Sequence, residues 1–390
     1  MNMLKLSVLS ISLATVTSGA AVSPALGLIA KYFSNEAEIM IKLIITIPSI
    51  MIIFTSFIFA KLSKIINAKY IAMIGFCLFL VGGVFPYFLN NIYLILISRA
   101  ILGIGAGFLT PLSVSLIGIL FEKHEQVKLM SLSGMCNQLG AVITVSISGF
   151  LASLSWQFSF LIYFFVIFIF LLNITYLPKV MLSNTHKELD KRNLKIIYPF
   201  YISLFLTQVL FFNFTNNFSI IYEKEKLINP SFIGILMGSS GICGAFVSFK
   251  FSKLFSIVKE KIRYIGALGF LIAFLLFSIR FSENYYVFNL NLMLIIGIIA
   301  CFFNGSAVGI LMPFAFSQIS IKSKKSALST NMAIASACVF SGQFCSPFID
   351  EIFMRLFNLH HPRDAFLIAA LIALCLFIYN FRVKIKLNSK

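Results

Sequence analysis

Twelve predominantly apolar stretches run along the chain, at residues 6–30, 39–60, 70–89, 92–121, 129–154, 157–177, 196–221, 231–249, 264–280, 286–316, 327–348 and 364–381. A helix rises about 1.5 Å per residue and the hydrocarbon core of a bilayer is about 30 Å thick, so about 20 apolar residues suffice to cross it. Lipid offers no hydrogen bonds, so each crossing segment must satisfy its own backbone, and the expected element is a helix every time. Composition agrees, with 59% hydrophobic residues, 11% charged residues and a mean hydropathy of +0.98, against about 25% charged in ordinary soluble domains. The fold class expected is an all-α integral membrane protein with twelve transmembrane helices. The first stretch is too long for a signal peptide and eleven more follow, so it is expected to stay as helix one.

A formal charge of +18 on a soluble protein would suggest nucleic acid as a partner. Here the basic residues fall in the loops, and no aromatic-basic interleaving on a soluble face supports that partner. In membrane proteins Lys and Arg mark the cytoplasmic side. With a cytoplasmic N-terminus the inside segments hold 23 of the 31 Lys and Arg, the outside loops hold 7, and Arg99 lies within a span. Both termini are therefore expected in the cytoplasm, in a multi-pass protein of the inner or plasma membrane. The seven Cys all fall within spans without a Cys-x-x-Cys pair, so they are expected as small buried packing residues and not as a disulfide or metal framework. The four His lie in loops, and no cluster completes a metal site.

The polar segment 178–195 separates six spans from six. The expected organisation is an N-terminal six-helix half, 1–177, a cytoplasmic linker, 178–195, and a C-terminal half, 196–390. The halves share a pattern. Gly103, Gly107 and Pro111 in helix four recur as Gly305, Gly309 and Pro313 in helix ten, at an offset of 202 each time. Glycines four apart open one helix face to close packing, and Pro removes one helical hydrogen bond. The position matching Arg99 is Cys301, so the charge belongs to one half only.

Twelve spans in a 6+6 plan with a basic central linker resemble the major facilitator superfamily over essentially the whole chain. Three stretches sharpen the resemblance. "RAILGIGAG", with Arg99, Gly103 and Gly105, is similar to the family's Arg-x-x-x-Gly-x-Gly signature in helix four. "GFLASLSWQFSFLIY" (149–163) resembles a Gly-x-Leu then Trp-Arg-x-x-Phe stretch of the drug-efflux branch, with Gln157 in place of Arg. "SPALGLIAKYF" (23–33) resembles that branch's Pro-containing exit from helix one. Two other signatures are degraded. The loop "AKLSKIINAK" (60–69) keeps Leu62 and Lys69 but has Lys64 where the family's gating Asp stands, and "TVSISG" (144–149) keeps only Gly149 of the antiporter signature. The resemblance implies packing and gating roles for Lys64, Lys69 and Gly149, a central cavity between helices one, four, seven and ten, and proton coupling.

Arg99 is the sharpest candidate residue. A charge at a helix centre costs about 2.5–3.5 kcal/mol on insertion scales, and it usually faces protein or a water-filled pathway. Two readings stand: a solute or coupling pathway, or a clamp on backbone carbonyls within the first half. All 13 acidic residues are expected in loops or at span ends, which leaves no mid-membrane carboxylate to neutralise Arg99 or to hold a cationic solute. The neutral pathway candidates are Asn137 and Gln138 in helix five, Gln208 and Asn213 in helix seven, Asn304 in helix ten and Asn331 in helix eleven. Asn216 and Asn217 stand beside them, and a buried amide can equally bridge helices.

No nucleophile triad, phosphate loop or soluble domain points to an enzyme, and no cofactor is expected. The expected function is alternating-access transport of a small organic solute, with efflux implied by the resemblance and the lipid bilayer as surroundings. Uptake or export of an anionic or siderophore-like compound, or a transport-inactive receptor or assembly factor, are the alternatives. One chain holds a complete 6+6 unit, so a monomer is expected to function.

Overall fold

The computed structural model describes residues 3–63, 65–182, 191–225, 230–280, 286–323 and 328–382, and it is helical throughout. Span one is α1 (Met3–Val16) and α2 (Leu26–Tyr32), joined by a turn and a 3₁₀ stretch, Ala20–Ala25. Spans two to five are α3 (Glu38–Leu62), α4 (Ala68–Val84), α5 (Ile92–Leu120) and α6 (Lys123–Leu154). Span six begins as a 3₁₀ stretch, Trp156–Phe164, and continues as α7 (Phe165–Tyr176). The remaining spans are α8 (Lys191–Lys224), α9 (Pro230–Val258), α10 (Ile262–Ser278), α11 (Tyr286–Lys322), α12 (Leu328–Leu356) and α13 (Asp364–Arg382).

Each of the twelve apolar stretches thus carries one helical span. Among the described residues nine helical stretches are long and apolar enough to cross a membrane alone, one of which, Phe232–Ser278, contains both α9 and α10. Span one joins them as two pieces meeting at 41°, and α6 adds the shorter apolar run Gly140–Leu154. The protein is an all-helical, multi-pass membrane protein of twelve spans.

Two sequence expectations need correction. The α12 helix does not stop near 348 but runs to Leu356, so Asp350 lies inside a span and is buried. Hydropathy marks an acidic residue as an end. The helix keeps it because the Asn213 Nδ2 donates to its Oδ1 at 2.6 Å, a partner that lies 137 residues away in sequence and so is invisible to a local window. Cys77 and Cys375 are exposed, not buried, because in a bilayer the outer face of a helix is apolar too.

The chain forms two compact units, Met1–Thr185 with Thr215–Gly241, and His186–Phe214 with Ile242–Lys390. In the first, α5 packs on α3 through Gly103 and Gly107 and on α4 through Gly105. In the second, α11 packs on α9 through Gly305 and Gly309 and faces α10 at Gly266 and Gly269. The core of the second unit gathers Ile197, Phe200, Tyr201 and Leu204 of α8 with Ile310, Phe314 and Ile319 of α11 and Ala335 of α12. Span four lies on spans two and three as span ten lies on spans eight and nine, so the Gly-x-x-x-Gly-x-x-x-Pro repeat marks an equivalent helix with equivalent neighbours in both units.

Candidate functional site

A proline inside a helix cannot donate to the carbonyl four residues before it, and in lipid that carbonyl must find another donor. Pro48 lies within α3 and so frees the carbonyl of Ile44. Arg99 Nε donates to that Ile44 oxygen at 2.8 Å. Span one has a second break, between Val16 and Ala20. Thr17 and Ser18 turn their hydroxyls back onto the Ala14 and Thr15 carbonyls. The carbonyls of Thr17 and Ser18 themselves are taken from outside: Tyr163 Oη donates to Thr17 O at 3.2 Å and an Arg99 terminal nitrogen donates to Ser18 O at 2.6 Å.

The guanidinium closes the set by donating to Tyr163 Oη at 3.0 Å, with its carbon 5.2 Å from the ring centroid. Arg99 is 0% exposed. One cation therefore joins α5, α3, the broken span one and span six, and each of its three nitrogens has a protein acceptor. Charge-assisted bonds to carbonyls are the strong class, about 1.5–3 kcal/mol each, which offsets the cost of placing the charge in a span.

The second unit solves the same problem without a charge. Pro313 lies within α11 and frees the Gly309 carbonyl. Ser248 Oγ of α9 donates to that oxygen at 3.1 Å. The glycine allows the approach: a Cβ on Gly309 would stand 2.5 Å from the Gly244 oxygen. On α5 a Cβ at Gly103 would stand 2.7 Å from both the Cα and the oxygen of Pro48. Close packing and proline repair are thus one device in each unit. Pro111 lies within α5, with Ser115 Oγ bonded back to its carbonyl. Cys301, in the place of Arg99, is buried on α11.

At the end where α2 leaves and α3 enters, α8 and α9 clasp the first six spans. Ser219 Oγ donates to Pro24 O at 2.5 Å and accepts from the Gly27 N–H at 3.0 Å. A Cβ on Gly149 of α6 would stand 2.6 Å from the Gly234 Cα of α9, so these two helices cross backbone to backbone. Around this clasp Glu38 pairs with Lys42 at 3.0 Å and with Lys224 at 2.6 Å, while Lys31 stands 3.7 Å from Glu223. The Lys42 side chain is only 7% exposed, so Glu38 neutralises a cation drawn into the bundle.

At the opposite end, the loop before α4 is held by the segment after α7. The Ala68 N–H donates to Val180 O at 2.8 Å, and Lys179 lies over the Tyr70 ring at 5.8 Å. Lys69 is half-buried in the first turn of α4, and Lys64 lies outside the described residues.

The amide candidates are not gathered in one place. Gln208 of α8 donates to Met312 Sδ of α11 at 3.6 Å, while its Oε1 is buried without a partner. Asn213 turns to Asp350 of α12 and to Ala365 O of α13. Asn304 is buried on α11. Asn331 lies near the start of α12, bonded to Ser323 Oγ at 2.8 Å and accepting from Tyr201 Oη at 3.3 Å through its carbonyl. Asn137 and Gln138 lie on α6, and their side chains fall outside what the structure describes.

Tyr163, Pro48, Ser248 and Ser219 carry the geometry and were not singled out from sequence. A signal existed for two of them. Each in-span proline frees a carbonyl at a known position, and a donor for that oxygen is owed by a neighbouring helix. Nothing local pointed to Tyr163 or Ser219.

Comparison with known proteins agrees with this architecture. Over 216 residues the chain is 28% identical to an "Uncharacterized transporter" of Buchnera aphidicola subsp. Schizaphis graminum, a match covering 52% of this chain and 54% of that protein. Over 103 residues it is 28% identical to the "Multidrug transporter protein MdtP" of Bacillus subtilis, covering 26% of this chain and 19% of the relative. The chain thus spans about half the length of the first curated relative and less of the second. Among solved structures, a D-xylose-proton symporter superposes with a TM-score of 0.79 at 16% identity, covering 97% of each chain. The Major Facilitator Superfamily model matches residues 8–306, and with the twelve spans and the paired repeat in place, the chain belongs to that superfamily of membrane transporters.

Proposed function

We propose that the protein is a secondary active transporter that exports a small organic solute by alternating access. The observation that carries this reading is the duplicated device: α5 and α11 are each pinned through glycines and a repaired proline carbonyl to the equivalent partner helix, α3 or α9. In this reading the six-span halves 1–177 and 196–390, joined by the linker 178–195, rock about a midplane site, and residues 215–241, which pack with the first six spans here, part from them as the site opens. Export is supported by the helix one and helix five-to-six stretches and by the partial similarity to a multidrug transporter.

In this reading the Ser219 clasp, the Gly149–Gly234 crossing and the Glu38 ion cluster form the external gate. The Ala68–Val180 bond serves the loop whose usual acidic latch is replaced by Lys64. Arg99 acts as a positioning residue that holds the break in span one. Gln208 and Asn304 line the solute's route. Asp350, an ionisable group within a span, is the candidate for proton coupling, since such groups are retained at a cost and commonly relay protons. Its partner Asn213 holds its orientation.

The test is accumulation of labelled D-xylose, uridine, benzoate and tetraphenylphosphonium in cells expressing the protein, with and without a protonophore. Lower accumulation of at least one probe that rises when the proton gradient is removed is the expected result. Accumulation equal to that of cells lacking the protein, for every probe at verified expression, removes the export reading.

A further inference from the structure

A buried amide costs free energy unless both its oxygen and its nitrogen find partners. Asn216 of α8 is 0% exposed, and neither its Oδ1 nor its Nδ2 has a hydrogen-bond partner in the chain. Among the described residues it is the one buried side chain with both polar atoms left so. The amides of Asn173, Asn213 and Asn331 each make at least one hydrogen bond within the chain. A chain that gives every Arg99 nitrogen an acceptor and leaves Asn216 empty-handed has kept a donor and an acceptor side by side for something else.

Its place in the fold says what that is. Ser219 meets Pro24 and Gly27, and Glu223 meets Lys31, so α8 and span one run side by side in the same direction. Asn216 stands one turn before Ser219 and about 60° around the helix from it. In that register it lies level with the start of the 3₁₀ stretch Ala20–Ala25, just beyond the break that Arg99 holds. Irregular backbone at membrane depth occurs where it is buried in protein or lines a cavity, and broken helices are where transporters place their solutes.

The geometry points to Asn216 as a specificity-determining residue that hydrogen-bonds an uncharged solute through a neighbouring donor and acceptor, as a diol, a carboxamide or a nucleobase edge presents. The inference rests on the transport reading and narrows it. The Arg99 guanidinium is 0% exposed, and its Nε and both terminal nitrogens are already engaged by Ile44, Tyr163 and Ser18, so it is not presented to an anion. A lone amide supplies no counter-charge, so a charged solute would enter the bundle un-neutralised, and its desolvation would outweigh the stronger hydrogen bond that an amide makes to a charge.

The test uses the purified full-length protein and its Asn216→Leu variant, with Asn216→Ser as a second variant should the first fail to fold. Thermal unfolding is followed with D-xylose, uridine, acetamide, benzoate and tetraphenylphosphonium as probes. The expected result has three parts. At least one neutral probe stabilises the wild type; the variant without ligand unfolds no earlier than wild type, since two orphaned polar atoms are gone; and the variant binds that probe about tenfold more weakly, the worth of one or two neutral hydrogen bonds.

Undiminished binding by the variant overturns the inference. So does stabilisation of the wild type by charged probes alone or by none, and so does earlier unfolding of both variants, which would make the amide a structural part. Binding that is lost with the substitution but never accompanied by flux leaves the inference standing and removes the transport reading. Flux that the substitution leaves unchanged for every probe does the reverse.

Discussion

Arg99 and Pro48 are energetically coupled if the guanidinium exists to satisfy the carbonyl that the proline frees. Removing Arg99 leaves Ile44 O and Ser18 O buried without their donors. Each orphaned carbonyl costs about 1–3 kcal/mol. Pro48→Ala restores an N–H four residues after Ile44, so in the absence of Arg99 the helix itself repairs that oxygen. Ser18 O stays orphaned in both backgrounds and cancels from the cycle.

The coupling between Arg99→Ala and Pro48→Ala is therefore about 1–3 kcal/mol, with the double variant more stable than the sum of the single losses. Equilibrium unfolding of the four proteins in mixed detergent micelles measures it. Independent sites add to within about 0.3–0.5 kcal/mol. Additivity within that margin would refute the argument and return Arg99 to a role in the solute's path. Arg99→Lys is a useful companion, because one ammonium cannot span acceptors on α3, span one and span six at once. It should behave nearer to Arg99→Ala than a conserved charge suggests.

Three further outcomes follow from the same geometry. Gly309→Val drives a side chain into the Gly244 backbone of α9 and should cost about 1–3 kcal/mol by overpacking, with transport lost more steeply than stability; unfolding and flux measured on one preparation separate the two. Asp350→Asn removes a titratable group inside α12 while an amide oxygen can still accept from Asn213, so flux should become insensitive to a protonophore while the folded protein persists; unchanged sensitivity assigns coupling elsewhere. Glu38→Gln unpairs the nearly buried Lys42 and frees Lys224. The exposed Lys224 pair alone is worth about 0–1 kcal/mol, so the Lys42 pair should dominate, and labelling of a cysteine introduced at the buried Ser23 should rise severalfold as that end opens.

Much of the fold was legible because lipid makes a blunt demand. A segment either satisfies its backbone and presents apolar side chains over about 30 Å or it does not cross, so twelve stretches of hydropathy became twelve rods. The glycine–proline repeat was also readable, since small residues four apart have one face whatever they pack against. What sequence could not show was pairing. Asp350 looked like a span end because its partner Asn213 is 137 residues away. The break after Val16 was hidden by a run of small and hydroxylated residues that is as apolar as a helix needs to be. Arg99 stood out at once, but whether it faced a pathway or backbone depended on Ile44 and Ser18, which carry no signal as residue types because only their carbonyls matter.

The two units repeat a mechanical arrangement while differing in chemistry, and the difference has a physical reason. In α11 the proline frees a carbonyl on the glycine face itself, already in contact with α9, and one hydroxyl from Ser248 reaches it. In the first unit the freed oxygen belongs to α3, and the neighbouring span one is broken as well, so acceptors on three elements converge on α5. A hydroxyl has one proton to give, whereas a guanidinium has five in a fixed fork. A cation is thus the smallest single group that can close this gap. Span seven, the counterpart of span one, is continuous as α8 from Lys191 to Lys224, so α11 faces no such gap and keeps a cysteine in that place. The charge in helix four then follows from the break in helix one.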